Sequence, residues 1–502
     1  MNPPRRWGDA LRISMGVVSM AESSREEQWR ALLSDRRLYG NPHPPGEYYR
    51  SEFQRDYDRI LFSSAFRRLQ DKTQVFPLSK SDYTRSRMTH TLEVSSVART
   101  LGLLVGRHLR ETGITCEPDE IGTVLATAGL AHDIGNPPFG HSGEEAIRSW
   151  ARRRLPSITD GKPKALNWSM LRARRKNPQS VEMAREELAD FHFWEGNAQA
   201  LRIVVRNAAR NRTGGLRPTL ATIGALVKYP RPAYLGEDKR PRPVALRKPG
   251  YFQSERAMSC KAFKMLGMVQ VGPDTFSRHP LAFLTEAADD ACYAVADLDD
   301  ALKLGILRYD DARDALLPIA ERDPGFREPG YPDVAAKFSR LRASCLAVLA
   351  RECCEAFCNS LEELEKGTLE VPIMCRTRVA NDHQGMIALA KEKVYTNDRV
   401  LQIEYAGYST IGGLLEMFYS ALCDSREAAK DGTLRKLLPI EIVRRKGKSR
   451  RLEKSEQDPF EFYLGWMTPY ERLLAVTDYV SGMTDGFAVE LFQRLSGIRL
   501  PD

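Results

Sequence analysis

The chain has 502 residues, 42% of them hydrophobic and 28% charged, which supplies apolar surface for a large core and excludes a disordered chain. No stretch approaches the roughly 20 continuous apolar residues of a helical membrane span, so membrane-spanning functions are excluded and a cytoplasmic protein is expected. The net charge of +9 favours a phosphorylated or nucleic-acid partner, although it is gathered in runs typical of solvated loops: Arg152 to Arg154, Arg172 to Lys176, Arg231 to Lys248 and Arg444 to Arg451.

Apolar residues recur at spacings of three and four and few segments alternate, so the chain is expected to be mainly α. Residues 1–60 read as an N-terminal approach segment, 61–310 as a catalytic helical core and 311–502 as a C-terminal helical region that completes the pocket and the oligomer contacts. The run Ile13 to Met20 is too short and mixed for a signal peptide, and translation from either Met1 or Met20 is compatible with the pattern.

His90 opens a helical stripe with Val94, Val97, Leu101 and Leu104, so its ring is expected to point inward. The segment from Thr123 runs apolar to His132 and Asp133 and is then broken by Ile134-Gly-Asn-Pro-Pro138, which presents both side chains into a pocket. Directly after the break, His141 and Glu144 stand three apart on a new helical turn. Residues 155–180 interrupt the helical pattern with polar and basic residues. Five prolines between Tyr229 and Tyr251 exclude a regular helix and suggest a long surface excursion. Asp289, Tyr293 and Asp297 recur at intervals of four, whereas Asp290 is turned away by about 100°. A turn is expected around Pro324, Pro329 and Pro332, and a loop tip, as of a short hairpin, at Lys446-Gly447-Lys448. The nine cysteines include no Cys-x-x-Cys pair, and Cys353, Cys354 and Cys358 read as reduced core thiols. No internal repeat is present.

Two imidazoles and two carboxylates, His90, His132, Asp133 and Asp289, suit a divalent ion such as Mn, Mg, Co, Ni or Fe with positions left for water. Such a site polarises a phosphoryl oxygen and orients or acidifies water, so a phosphohydrolase is expected. A Glu144 carboxylate bonded to one ring nitrogen of His141 leaves the other free for proton transfer, which makes His141 the candidate acid for an alkoxide leaving group.

The blocks Arg67-Arg-Leu-Gln-Asp-Lys-Thr-Gln74-Val75-Phe-Pro77, Arg87-Met-Thr-His90, His132-Asp-Ile-Gly-Asn-Pro-Pro-Phe-Gly-His141-Ser-Gly-Glu144, Glu195-Gly-Asn-Ala-Gln199, Val227-Lys-Tyr229, Glu286-Ala-Ala-Asp289-Asp-Ala-Cys-Tyr293 and Glu404-Tyr-Ala-Gly-Tyr408 resemble the HD-domain deoxynucleoside triphosphate triphosphohydrolases of the bacterial dGTPase family. The resemblance runs from about residue 30 to the C-terminus. It implies an HD-type helical bundle with an added C-terminal helical region, and release of intact triphosphate from a deoxynucleoside triphosphate, dGTP being favoured. It places the metal on His90, His132, Asp133 and Asp289, with His141 and Glu144 serving the leaving oxygen or the attacking water. Gln74 and Asp297 match positions that bind the sugar 3′-hydroxyl, and Tyr293 matches the ring that excludes a 2′-hydroxyl. Arg87, Lys228 and Tyr229 match positions near the phosphates, Val75 falls in the block that carries Gln74, and Glu404 is the candidate base reader. Homo-oligomers, hexamers or tetramers, are implied as well. The sequence departs from the family in Phe193-Trp194 before Glu195, where the Phe commonly precedes the Glu directly.

Two other readings compete. A different HD phosphohydrolase, a phosphodiesterase or a monophosphate nucleotidase, would keep the metal ligands without needing the sugar set or several cations. A nucleic-acid-binding protein with a structural metal would work through the basic runs and show steep salt dependence; binding of single-stranded DNA is also compatible with the hydrolase reading.

Overall fold

The spacing of apolar residues translates directly into helices. The computed structural model describes residues 24–40, 49–76, 84–158, 164, 170, 176–177, 182–206, 215–235, 244–328, 330, 333–424, 428–444 and 457–499, and over these the protein is mainly helical. The helices that build the centre are α1 (Arg87–Glu111), α2 (Pro118–Ala131), α3 (Gly140–Arg154), α4 (Gly196–Val205), α5 (Pro280–Lys303), α6 (Val334–Asn359), α7 (Asp398–Cys423) and α8 (Asp485–Leu495). The Ser86 hydroxyl caps α1 by accepting from Thr89 N–H. Pro118 opens α2, followed by Asp119 and Glu120 at the positive end of the helix dipole.

Helices α1 and α2 pack backbone to backbone. A Cβ on Gly102 would lie 2.7 Å from the Gly122 Cα, and one on Gly129 would lie 2.8 Å from the Ser95 Cα. This close approach rotates the buried face of α1 onto Val94, Ala98, Leu101, Val105 and Leu109, while Val97 and Leu104 of the expected stripe are only half-buried. His90 stays on the buried face. Gly129→Val is expected to cost about 1–3 kcal/mol through overpacking; urea unfolding would read this as a lower midpoint at unchanged slope, and an unchanged midpoint would show that the helices can separate freely.

The largest apolar cluster joins Trp29 to α1, α2, α5 and α6 and extends to Val394. A second gathers α3 and α7 with the helix Pro469–Ser481. A smaller third, containing Leu69, Leu130, Ile134, Ala200 and Leu226, lies beneath the His132-Asp133 turn and gives it a rigid floor.

The two described ends of the expected surface excursion are folded inward, although Arg247 is exposed. Tyr229, Arg231 and Ala233 are buried, as are Tyr251 and Phe252 on the return. Proline forbids the helix but not burial, because Arg231 satisfies the irregular backbone by donating to the carbonyls of Pro232 and Ala233. Residues 236–243, most of 155–180 including most of Arg172 to Lys176, Pro329 and Pro332, the Lys446–Lys448 tip and Met20 lie outside the described residues. Among the described residues a small hairpin occurs at β1 (Gln270–Gly272) and β2 (Thr275–Phe276), too short to give an alternation signal. The nine cysteines are all unpaired, with Cys345 and Cys353 fully buried. Among the described residues no helix is long and apolar enough to cross a membrane.

Candidate active site

The end of α2 fixes the chemistry of His132. Its Nδ1–H donates to the Gly129 carbonyl at 2.7 Å, which sets the tautomer and aims the Nε2 lone pair away from the helix. That Nε2 is buried without a hydrogen-bond partner, 3.5 Å from Asp133 Oδ1 and 3.5 Å from Asp289 Oδ1. His90 Nε2 lies 3.1 Å from the same Asp289 oxygen, and the two imidazoles meet edge to face with centroids 5.5 Å apart. Nitrogen and oxygen donors of His90, His132 and Asp133 all fall within 4.8 Å of one another.

A lone pair facing two carboxylates is repulsive unless a cation stands between them. Burial opposes charge on His132, but Asp133 and Asp289 outweigh it and push the imidazole up to about 9. Burial likewise opposes ionisation of Asp133, yet Arg87 and His132 hold it down to about 2. Asp289 stays well below the usual range against its own burial, held by His132 and His90. The field therefore selects positive charge, and the donor set of neutral imidazoles and carboxylates fits a divalent ion. Arg87 pairs with Asp133 Oδ2, and Asn136 Nδ2 donates to Asp133 Oδ1 at 2.7 Å, so both oxygens of this carboxylate are oriented.

The turn after Asp133 reverses through Phe139 and Gly140, both left-handed at φ 61° and 56°, and starts α3. There His141 Nδ1 lies 3.2 Å from Glu144 Oε2. Glu144 is buried, and its second oxygen accepts the Gly196 N–H at 2.9 Å, at the positive end of α4. The His141 ring is 86% exposed and projects into a cavity. The Glu144 hydrogen bond raises the His141 pKa, and burial of Glu144 is in turn outweighed by His141, so that its own value is lowered.

The cavity has a volume of about 540 Å³. Gln74, Val75, Arg87, His132, Asp133, His141, Glu144, Lys228, Tyr229, Asp289, Tyr293 and Glu404 all line it, which brings together nearly all the residues nominated by sequence. His90 lies behind His132 and Asp289, fully buried. Asp297 is buried behind Tyr395, whose hydroxyl contacts both Asp297 Oδ2 and the Tyr293 hydroxyl; the two rings stack at 6.3 Å. Burial pushes Asp297 up to about 7. Gln74 Oε1 is buried with no hydrogen-bond partner. Lys228 Nζ pairs with Glu286 at 2.9 Å, and Arg278 takes the other Glu286 oxygen while its guanidinium lies over the Tyr229 ring. Asp290, turned away on the helix as expected, still reaches the cavity wall, where burial pushes it up to about 7.

Several lining residues escaped the sequence reading. Lys248 pairs with Glu195 at 2.7 Å, and it was hidden in the basic run expected at the surface. Tyr395 follows a short π-helical stretch, Ala390–Val394, that carries no periodic signal. The departing Trp194 is fully buried with its ring centroid 6.5 Å from that of Phe252, which leaves Glu195 at the cavity.

Residues 87–245 match the HD domain family. A deoxyguanosinetriphosphate triphosphohydrolase-like protein of Synechocystis sp. is 35% identical over 479 residues, covering 94% of this chain and 100% of its own length. The chain belongs to that family. A Pseudomonas aeruginosa member with the same description is 34% identical over 94% of this chain and 99% of its own. The deoxyguanosinetriphosphate triphosphohydrolase of Salmonella enteritidis is 31% identical over 89% of this chain and 94% of its own. As an HD-family member the protein is a phosphohydrolase.

Proposed function

We propose that the protein hydrolyses deoxynucleoside triphosphates, dGTP being favoured, to the deoxynucleoside and intact inorganic triphosphate. One observation carries this reading: a single cavity has His132, Asp133 and Asp289 and the His141–Glu144 pair beside an unpaired Gln74 oxygen and the stacked Tyr293 and Tyr395 rings, with Arg87, Lys228 and Lys248 in its walls. The names carried by the relatives support the same substrate class.

His90, His132, Asp133 and Asp289 would hold the metal, of which Mn, Mg, Co and Ni are candidates. A divalent ion bound there supplies Lewis acidity towards a phosphoryl oxygen. Water attacks the α-phosphorus, the bond to O5′ breaks, and His141 donates its proton to the departing oxygen while Glu144 holds the ring. A triphosphate carries about four negative charges near neutral pH, which Arg87 and Lys228 offset as charge-assisted donors. Tyr229 stands beside Lys228. Gln74 Oε1 accepts from the sugar 3′-hydroxyl, the Tyr293 ring occupies the space of a 2′-hydroxyl, and Asp297, which the family resemblance placed on the 3′-hydroxyl, acts from behind the wall by holding the Tyr395 hydroxyl beside Tyr293. Polar recognition of this kind discriminates better than an apolar slot. Val75 packs at the sugar, and Glu404, also on the wall, is the candidate base reader. A cytoplasmic homo-oligomer, hexameric or tetrameric, accompanies this reading.

Incubation with each deoxynucleoside triphosphate and with GTP, in Mn and in Mg, followed by ion-exchange separation of the products, tests it. The expected result is intact triphosphate from dGTP and none from GTP. Turnover of all four deoxynucleotides would remove the guanine preference, and pyrophosphate or orthophosphate as the first product would overturn the cleavage position.

A further inference from the structure

A carboxylate near the C-terminus stands outside the machinery described so far. Asp485, the first residue of α8, is 1% exposed. Its Oδ1 accepts the backbone N–H of Phe139 at 3.0 Å, 346 residues away in the chain, and its Oδ2 accepts the backbone N–H of Thr73 at 2.9 Å. Thr73 immediately precedes Gln74. Phe139 is the left-handed residue from which α3 springs, two positions before His141. One side chain thus grips the segment that presents the sugar contact and the turn that presents the acid.

The grip is reinforced on both sides. Lys72 is buried, and its Nζ donates to the Asn136 carbonyl at 2.5 Å and the Ser481 carbonyl at 2.8 Å. Its own carbonyl accepts the Arg87 N–H at 2.9 Å. The Phe139 ring fills the space left by Gly407 on α7, where a Cβ would lie 2.4 Å from the ring. A non-glycine residue keeps a left-handed backbone only where its surroundings over-determine it, and Phe139 is fixed here by hydrogen bond and by packing. A carboxylate suits the junction because it accepts the two N–H groups on two separate oxygens, whereas the isosteric Asn offers one acceptor oxygen and sets an NH₂ in place of the other.

We propose that Asp485 is a positioning residue that sets the separation between Gln74 and His141, with Lys72 bracing the same junction, so that the C-terminal segment is part of the active-site scaffold. The kinetic consequence rests on the reaction proposed above; the mechanical linkage does not. Asp485→Asn is nearly isosteric, yet it turns one acceptor into a donor and sets N–H against N–H.

The test compares hydrogen–deuterium exchange of full-length wild type, Asp485→Asn and Asp485→Ala, alongside kcat and KM for dGTP and the melting temperature. Linkage predicts faster exchange in the two segments around residues 72–76 and 138–142 in both variants, with α2 unaffected. A misplacement of this kind lowers kcat about 100-fold, and it does so at temperatures where the variants remain folded. Exchange that changes only near residue 485, or turnover per folded molecule equal to wild type, overturns the proposal. A wild-type enzyme inactive on every deoxynucleoside triphosphate would refute the substrate reading alone, and unaltered exchange in the two segments would then still overturn the linkage.

Discussion

Replacing His132 by Ala is expected to abolish divalent-metal binding and to lower turnover by roughly 10³-fold or more, the several kcal/mol of charge stabilisation that a metal supplies to phosphoryl transfer. The size of the effect follows from the orientation of the ring. The Gly129 carbonyl consumes the Nδ1 proton, so Nε2 has no other function than to face the Asp133 and Asp289 carboxylates. Removing it leaves those carboxylates without the imidazole on which both depend. Manganese titration followed by electron paramagnetic resonance measures the loss directly, independent of substrate. The same titration separates two neighbours on α5: Asp289→Asn should lose the ion, whereas Asp290→Asn should retain it, because Asp290 faces Lys228 rather than the imidazoles. A His132→Ala variant that binds manganese as wild type does would remove the metal assignment altogether.

Which parts of this arrangement could be read from the sequence follows from where the determinants lie. His90, His132, Asp133, His141 and Glu144 each sit where a periodic apolar pattern begins or ends or where a break interrupts it, so local sequence states both their burial and their direction. The stripe through Val97 and Leu104 was misjudged by part of a turn because the glycines of α1 and α2 admit a backbone approach that hydropathy does not register. The proline-rich stretch was misread for a related reason: prolines and arginines normally mark solvated loops, whereas Arg231 here turns its guanidinium back on the irregular chain. Lys248 was lost with it. Tyr395, Lys72 and Asp485 reach the site through contacts that span 64 to 412 residues of sequence, and no local pattern encodes such a meeting.

Loss of the His141 side chain is expected to lower kcat about 10²- to 10⁴-fold, the usual contribution of a positioned proton donor, with manganese binding intact because the ring touches none of the metal-site residues. Its pH behaviour gives a sharper test. The Glu144 bond raises the His141 pKa above that of a free imidazole, so the protonated acid persists to higher pH and the alkaline limb of kcat/KM should lie above the ordinary imidazole range. Glu144→Gln removes the partner, lowers the His141 value, and should move that limb to lower pH. The linked stability has the same sign: the contribution of His141 is complete below the unfolded imidazole value and is lost as pH rises through the raised folded one. The depressed Glu144 makes the opposite contribution, present above the ordinary carboxylate range and lost as pH falls through its lowered value. Because the two side chains act on one proton, their effects on kcat should not add: the double variant should be little slower than His141→Ala alone. A double variant slower by the product of the two single effects would mean that Glu144 acts on the substrate or the attacking water by itself, and the proton path would then have to be drawn through the carboxylate rather than the imidazole.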